Sequence, residues 1–189
     1  KTGKIRADRQ PGFPTPSGKF EICSAYIQQY SYTPYPEYKD IRSIENLGSK
    51  EDYPLIMTTA ARSGLRFCSF GPGIKIAMKE RVPTIDIGEK DAKKYGLKNG
   101  EEAIVETVFG KEEFKVRICP MAEGSIHVAG GTGSCYMEGE WRNHNINNVC
   151  SMNYSDPISG FLILKSIPCR VLAKTIYNNK NGEKHSPLF

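Results

Sequence analysis

The stretch Thr58-Thr59-Ala60-Ala61-Arg62-Ser63 concentrates more binding chemistry than any other part of this 189-residue chain. It follows the apolar run Pro54-Leu55-Ile56-Met57 and precedes Phe67-Cys68-Ser69. A short apolar run bounded by turn residues has the length of a core strand, and a strand ending in small and hydroxyl residues lets a ligand approach its main chain. Arg62 would add a planar fork of donors matched to a pyrophosphate or a purine edge, while Thr58, Thr59, Ser63 and Ser69 would add neutral donors. That is the chemistry of a phosphate or nucleotide cradle. Thr and Ser at a strand end more often satisfy local backbone groups, so the segment alone leaves both readings open.

The elements that must position such a cradle can be read along the chain. Residues 1–50 are rich in Pro, Tyr, Ser and Lys, and Tyr35-Pro36 and Tyr53-Pro54 force extended backbone, which predicts an arm. A strand is expected near 54–59, a glycine-rich turn at Phe70-Gly71-Pro72-Gly73, a short helix over Ile74 to Met78 and a strand over Thr84 to Ile87. Glu89 to Tyr95 reads as a helix with an acidic first turn and Gly96 as its stop. Ala103 to Phe109 and Glu113 to Ile118 alternate on either side of Gly110-Lys111, which predicts a hairpin, and Ser125 to Ala129 and Arg170 to Ala173 supply two more strands. Many short strands with non-local closure predict a mainly β fold, a compact barrel with short helices.

Five stretches together resemble the C-terminal, molybdopterin-dinucleotide-binding domain of the molybdopterin oxidoreductases, the dimethyl sulfoxide reductase and formate dehydrogenase superfamily. The first stretch, TTAARS, is similar to that family's TTGARS element. Gly12-Phe13-Pro14-Thr15-Pro16-Ser17-Gly18-Lys19-Phe20-Glu21 resembles the GFPTPSGKIE segment by which the chain enters this domain. Asp91-Ala92 through Gly96-Leu97-Lys98-Asn99-Gly100 resembles its EDAxxLGIxxGD stretch. Asn145-Ile146-Asn147 and Asp156-Pro157-Ile158-Ser159-Gly160 resemble its NxN and DPxSG elements, and Pro168-Cys169-Arg170-Val171 its final strand.

The resemblance implies a double-psi, aspartate-decarboxylase-like β-barrel over residues 51–175, an arm or linker from a preceding domain over 1–50, and a polar tail over 176–189. It further implies a cofactor-binding lid rather than a catalytic centre. In this family two pterin-guanine dinucleotides, the bis form of molybdopterin guanine dinucleotide, hold molybdenum or tungsten through dithiolenes. Thr59, Ala61, Arg62, Ser63, Cys68 and Ser69 would lie against one dinucleotide. Gly131, in the turn Gly130-Gly131-Thr132-Gly133, would also lie near the cofactor. Asn145 and Asn147 would read a pterin or guanine edge, since an amide offers one acceptor and two donors in a plane. Asp156 with Ser159 would brace its own loop. The sequence departs from the family at Cys68-Ser69-Phe70, where His-Ser-Glu is common, and at Pro72, where an arginine is common. Those departures remove an imidazole, a carboxylate and a guanidinium from the site.

The partners implied are preceding domains of the same polypeptide, with an iron–sulfur electron-transfer subunit as a further one. Two alternatives stand beside the oxidoreductase reading: a stand-alone barrel module or assembly subunit without cofactor, and the same domain in a non-redox hydratase. The arm favours a piece of a larger enzyme, inactive when isolated. No catalytic residue and no metal-ligating residue is assigned.

Composition bounds these expectations. A hydrophobic content of 39% suffices for one packed domain, and the net charge of +5 comes from scattered lysines that read mostly as a solvated face, although a basic surface would help an anionic dinucleotide. No basic stripe, zinc finger or helix-turn-helix pattern points to nucleic acid. No apolar run is long enough to span a membrane, and no signal-peptide core is present. The chain begins at Lys1, as a fragment or processed product would; a cytoplasmic location is favoured, although an export signal could lie upstream. Cys23, Cys68, Cys119, Cys135, Cys150 and Cys169 are far apart, unlike the close pairs of iron–sulfur or structural zinc sites, so no cluster is expected in this chain and reduced thiols are. Cys68 and Cys150 read as small buried hydrophobes before ligands. His127 reads as a barrel-wall residue and Trp141 as a packing anchor.

Overall fold

The structure, a computed structural model, describes residues 12–44, 46–60, 82–133, 135, 139–151 and 153–181. The chain divides into two compact units, Lys1–Asp40 with Asp156–Gly160, and Ile41–Ser155 with Phe161–Phe189.

In the first unit, Gly18 takes φ +68 and donates its N–H to the Thr15 carbonyl at 2.9 Å, closing the tight turn expected at this glycine. Helix α1, Ala25–Gln29, starts where the Ser24 hydroxyl accepts the Ile27 N–H at 3.3 Å. The Glu21 carboxylate accepts the Ser17 and Ala25 N–H groups, and the Ser17 side chain first, together with these N–H groups, holds its carboxyl below the usual range. Phe20, Ile22, Tyr26, Tyr30 and Tyr38 are all exposed.

The second unit is built on six described strands: β1 Leu55–Ala60, β2 Thr84–Ile87, β3 Glu102–Thr107, β4 Gly110–Ile118, β5 Ser125–Ala129 and β6 Lys165–Ala173. They close a barrel in the order β1-β5-β2-β4-β3-β6. β1 runs parallel to β5 and β2 parallel to β4, and the other neighbours are antiparallel. Alternation along each strand sends Leu55, Met57, Ile85, Ile87, Val105, Phe114, Val116, Ile126, Val128 and Ile167 into a fully buried interior. Burying side chains of this size contributes on the order of 1.5–3 kcal/mol each, which is what closes the sheet on itself.

The helix expected after β2 is α2, Glu89–Lys94; it ends at Tyr95, and Gly96 follows at φ +65. The β3–β4 hairpin differs in its turn. Thr107 pairs with Gly110, so Val108-Phe109 form the loop and Gly110-Lys111 already belong to β4. The Thr107 hydroxyl accepts the Phe109 N–H at 3.1 Å and thereby folds the two-residue turn. Gly110 is needed as a strand residue for another reason: a Cβ there would lie 2.4 Å from the Asn148 carbonyl oxygen. Among the described residues no helix is long and apolar enough to cross a membrane.

Candidate functional site

The strand directions define two ends of the barrel. β1, β3 and β5 finish at the end where β2, β4 and β6 begin. At this end Ala60, the last residue of β1, pairs with Ala129, the last of β5. The glycine turn Gly130–Gly133 therefore leaves β5 directly beside the point where the chain leaves β1. The carboxyl ends of these two parallel strands thus lie side by side.

Of the residues expected to bind, Ala61, Arg62, Ser63, Cys68 and Ser69 lie outside the described residues, as does the helix expected over 74–78. Thr59 is half-buried at this end, and its hydroxyl donates to the Leu164 carbonyl at 2.6 Å, tying β1 to the residue before β6. Gly131 takes φ +79, which the turn requires. Thr132 is buried, and its hydroxyl oxygen accepts the Ile146 N–H at 2.9 Å. Gly133, at φ +83, donates its N–H to the Trp141 carbonyl at 2.8 Å. A Cβ on Gly133 would lie 2.6 Å from the Asn145 Cγ. The glycine turn and the Asn-rich loop thus interlock.

That loop is carried by a short helix α3, Glu140–Asn143, whose Trp141 is buried, and by a 3-10 turn over Ile146–Val149. The two asparagines do different things. The Asn145 Oδ1 accepts the Asn147 N–H at 3.0 Å and caps the 3-10 turn, so its acceptor is spent on the loop. The Asn147 side chain is exposed and hydrogen-bonds to no other described residue, so its amide edge is unspent. Asp156 braces its own segment: its Oδ1 accepts the Ile158 N–H at 3.1 Å, the Ser159 N–H at 2.6 Å and the Ser159 hydroxyl at 2.7 Å. The Ser159 donors hold its carboxyl below the usual range.

Sequence reasoning passed over the β4 side of the site. The Glu112 carboxylate accepts the Asn145 N–H at 3.1 Å and the Asn148 Nδ2–H at 2.6 Å, and faces His144 Nδ1 at 3.4 Å. The signal was available, because the alternation that sends Phe114 and Val116 inward puts Glu112 on the same face. The Thr107 hydroxyl, buried, donates to the Val149 carbonyl at 3.0 Å and fixes the far end of the loop.

Away from this end, register lines up Thr58, His127, Asp86 and Arg117 across four strands on the outer wall. Asp86 is fully buried and accepts from Arg117 Nε at 2.9 Å, Arg117 Nη2 at 3.1 Å and the Thr84 hydroxyl at 2.8 Å, with His127 Nδ1 at 3.5 Å. His127 is a wall residue. Burial pushes the Cys150 thiol up to about 11, so it packs as a neutral side chain. Cys169, buried in the core, is pushed up further for the same reason. Among the described residues no group of three or more His, Cys, Asp or Glu is arranged to hold a metal ion.

The family model described as Molydopterin dinucleotide binding domain matches residues 69–168. The chain belongs to this family. Its likeness to solved structures agrees: it superposes on acetylene hydratase from Pelobacter acetylenicus with a TM-score of 0.69 and 27% identity, over 90% of this chain and 25% of that one. In sequence it is 31% identical over 133 residues to the acetylene hydratase of Syntrophotalea acetylenica, covering 68% of this chain and 18% of the relative. The chain thus spans a quarter or less of the length of these relatives. The closed barrel has the double-psi form that the resemblance implied.

Proposed function

We propose that this domain holds a molybdopterin guanine dinucleotide at the end of the barrel where β1 and β5 finish, and closes the active site of a larger molybdenum- or tungsten-dependent enzyme. The observation that carries the reading is the pair of interlocked loops, Gly130–Gly133 and 144–149, standing beside the β1 exit with the Asn147 amide edge unspent. The donor set fits the group: planar neutral amides match a pterin or guanine edge, and a glycine turn lets backbone N–H groups approach an anion. In this reading Thr59, Ala61, Arg62, Ser63, Cys68 and Ser69 line the β1 side, Arg62 on the pyrophosphate, while Gly131, Asn145 and Asn147 line the other. Asn147 touches the ligand, and Asn145 shapes the loop that presents it. When bound, the cofactor would supply a dithiolene-held metal; the residues of this chain bind and orient the group.

The exposed Phe20, Ile22, Tyr26, Tyr30 and Tyr38 support a first unit that packs on a preceding domain of the same polypeptide, because so many large apolar side chains are costly to leave in water. For the reaction class, both relatives are named acetylene hydratases, which favours a hydratase over the oxidoreductase that the family resemblance suggested.

The test is made on the complete polypeptide carrying this chain, by metal content and guanine nucleotide released on acid hydrolysis. Arg62→Ala and Asn147→Ala are each expected to lower nucleotide occupancy without unfolding the domain. Losing one desolvated charge-assisted contact at Arg62 costs on the order of 1.5–3 kcal/mol, roughly ten- to hundredfold in affinity. Unchanged occupancy in both variants would overturn the assignment. Hydration of acetylene without an added electron acceptor would distinguish the hydratase.

A further inference from the structure

We infer that Glu112 is a positioning residue for the dinucleotide: its carboxylate clamps the 144–148 segment so that the Asn147 amide faces the ligand. The inference rests on the reading that this end of the barrel binds the cofactor. Glu112 never needs to touch the ligand to do this. Its Oε2 takes the Asn145 N–H at 3.1 Å and the Asn148 side-chain amide at 2.6 Å, so the two residues flanking Asn147 by one and two positions are pinned to one carboxylate oxygen.

Further contacts around the loop show that the clamp is a built feature. His144, the residue before Asn145, faces Glu112 Oε1 with Nδ1 at 3.4 Å and Glu140 Oε2 with Nε2 at 3.0 Å. Both ring nitrogens face carboxylates, so the ring bridges β4 to the start of α3. The same ring packs on Phe114, two residues along β4, with centroids 5.3 Å apart. From the other side the Thr132 hydroxyl takes the Ile146 N–H, and Gly133 abuts Asn145. The loop is therefore held between the glycine turn and β4, and Glu112 supplies the charged half of the grip. Its side chain is only 13% exposed, so its oxygens rely on these donors for hydrogen bonds, and the donors in turn rely on it.

The experiment compares wild type, Glu112→Ala, Glu112→Gln and Asn148→Ala in the full chain, reading amide hydrogen exchange and guanine nucleotide retained after gel filtration. In Glu112→Ala the amides of 145–148 are expected to exchange about tenfold faster or more, while those of Ile85 and Val128 in the barrel stay protected. Nucleotide retention is expected to fall in step. Glu112→Gln keeps one acceptor and is expected to restore part of both. Asn148→Ala removes one donor and serves if Glu112→Ala fails to fold; it is expected to loosen 145–148 to a lesser degree. Unchanged exchange in 145–148 would overturn the clamp. Faster exchange with nucleotide retention untouched would overturn its positioning role. A wild-type protein holding no guanine nucleotide would instead refute the functional reading, while the exchange data would still decide whether the clamp exists.

Discussion

Gly133→Ala separates backbone strain from loop interlock, and its cost can be worked from the structure. Gly133 sits at φ +83, where an L-residue costs roughly 1–2 kcal/mol. The new Cβ would lie 2.6 Å from the Asn145 Cγ and 2.8 Å from its Cβ and Oδ1. Those distances are impossible, and since rotation of the side chain leaves the Asn145 Cβ in place, the loop itself must shift and release the Asn147 N–H that Asn145 caps, which costs roughly 1 kcal/mol more. The expected loss is about 2–3 kcal/mol. Gly124→Ala is the control, because Gly124 has a similar φ of +77 with nothing within 4 Å of its Cβ position. It should lose the backbone term alone. Urea unfolding of the two variants should therefore differ by about 1 kcal/mol, roughly half a molar in midpoint at an ordinary slope. The Ile146 amide, bonded to Thr132, should exchange faster in Gly133→Ala and not in Gly124→Ala. Equal midpoints would refute the interlock, since Asn145 would then be free to move aside.

Two other perturbations test the wall and the loop's thiol. Asp86→Ala strips a fully buried carboxylate of its bidentate Arg117 pair and its Thr84 bond. Because Arg117 is about half-exposed and can turn to water, the expected loss is about 2–3 kcal/mol rather than that of a wholly buried pair, and a urea midpoint within about 1 kcal/mol of wild type would contradict it. Burial raises Cys150 from an ordinary 9.0 to about 11, so the folded state binds the thiol proton more tightly than the unfolded state. Its contribution to stability is full below pH 9 and is lost as pH rises through 11, so Cys150→Ala should flatten the fall of the urea midpoint across that window, whereas Cys23→Ala, at an exposed site, should not.

The strands were legible because their chemistry is local. Alternation in Thr84–Ile87, Ser125–Ala129 and the two arms of the β3–β4 hairpin shows directly in the residues, and so does the stop at Gly96. The hairpin turn was read two residues late because Gly110 resembles a turn glycine. Its glycine is instead demanded by the approach of Asn148, a contact from a distant part of the chain. The Asn145-x-Asn147 spacing drew attention to this loop but could not show that Asn145 caps it while the Asn147 amide stays unspent, since what an amide does depends on the backbone that it meets. Glu112 was missed for a related reason: a carboxylate on an inward strand face looks like an irregularity in the pattern until the donors of another segment arrive beneath it.

The barrel's closure order also bears on how the protein is made. β1 is the first of the six described strands to be made, yet both of its neighbours, β5 and β6, come later in the chain, and β6 also supplies the second neighbour of β3. Until Lys165–Ala173 has left the ribosome, β1 and β3 both keep an open edge and the ring stays incomplete. The hairpin β3–β4 can form at once, but the ring as a whole must wait on long loop closures that are slow and exposed to misassembly. Stalled or truncated products ending before β6 are thus expected to be the aggregation-prone species, and a chaperone that shields β1 would act over most of the domain's synthesis.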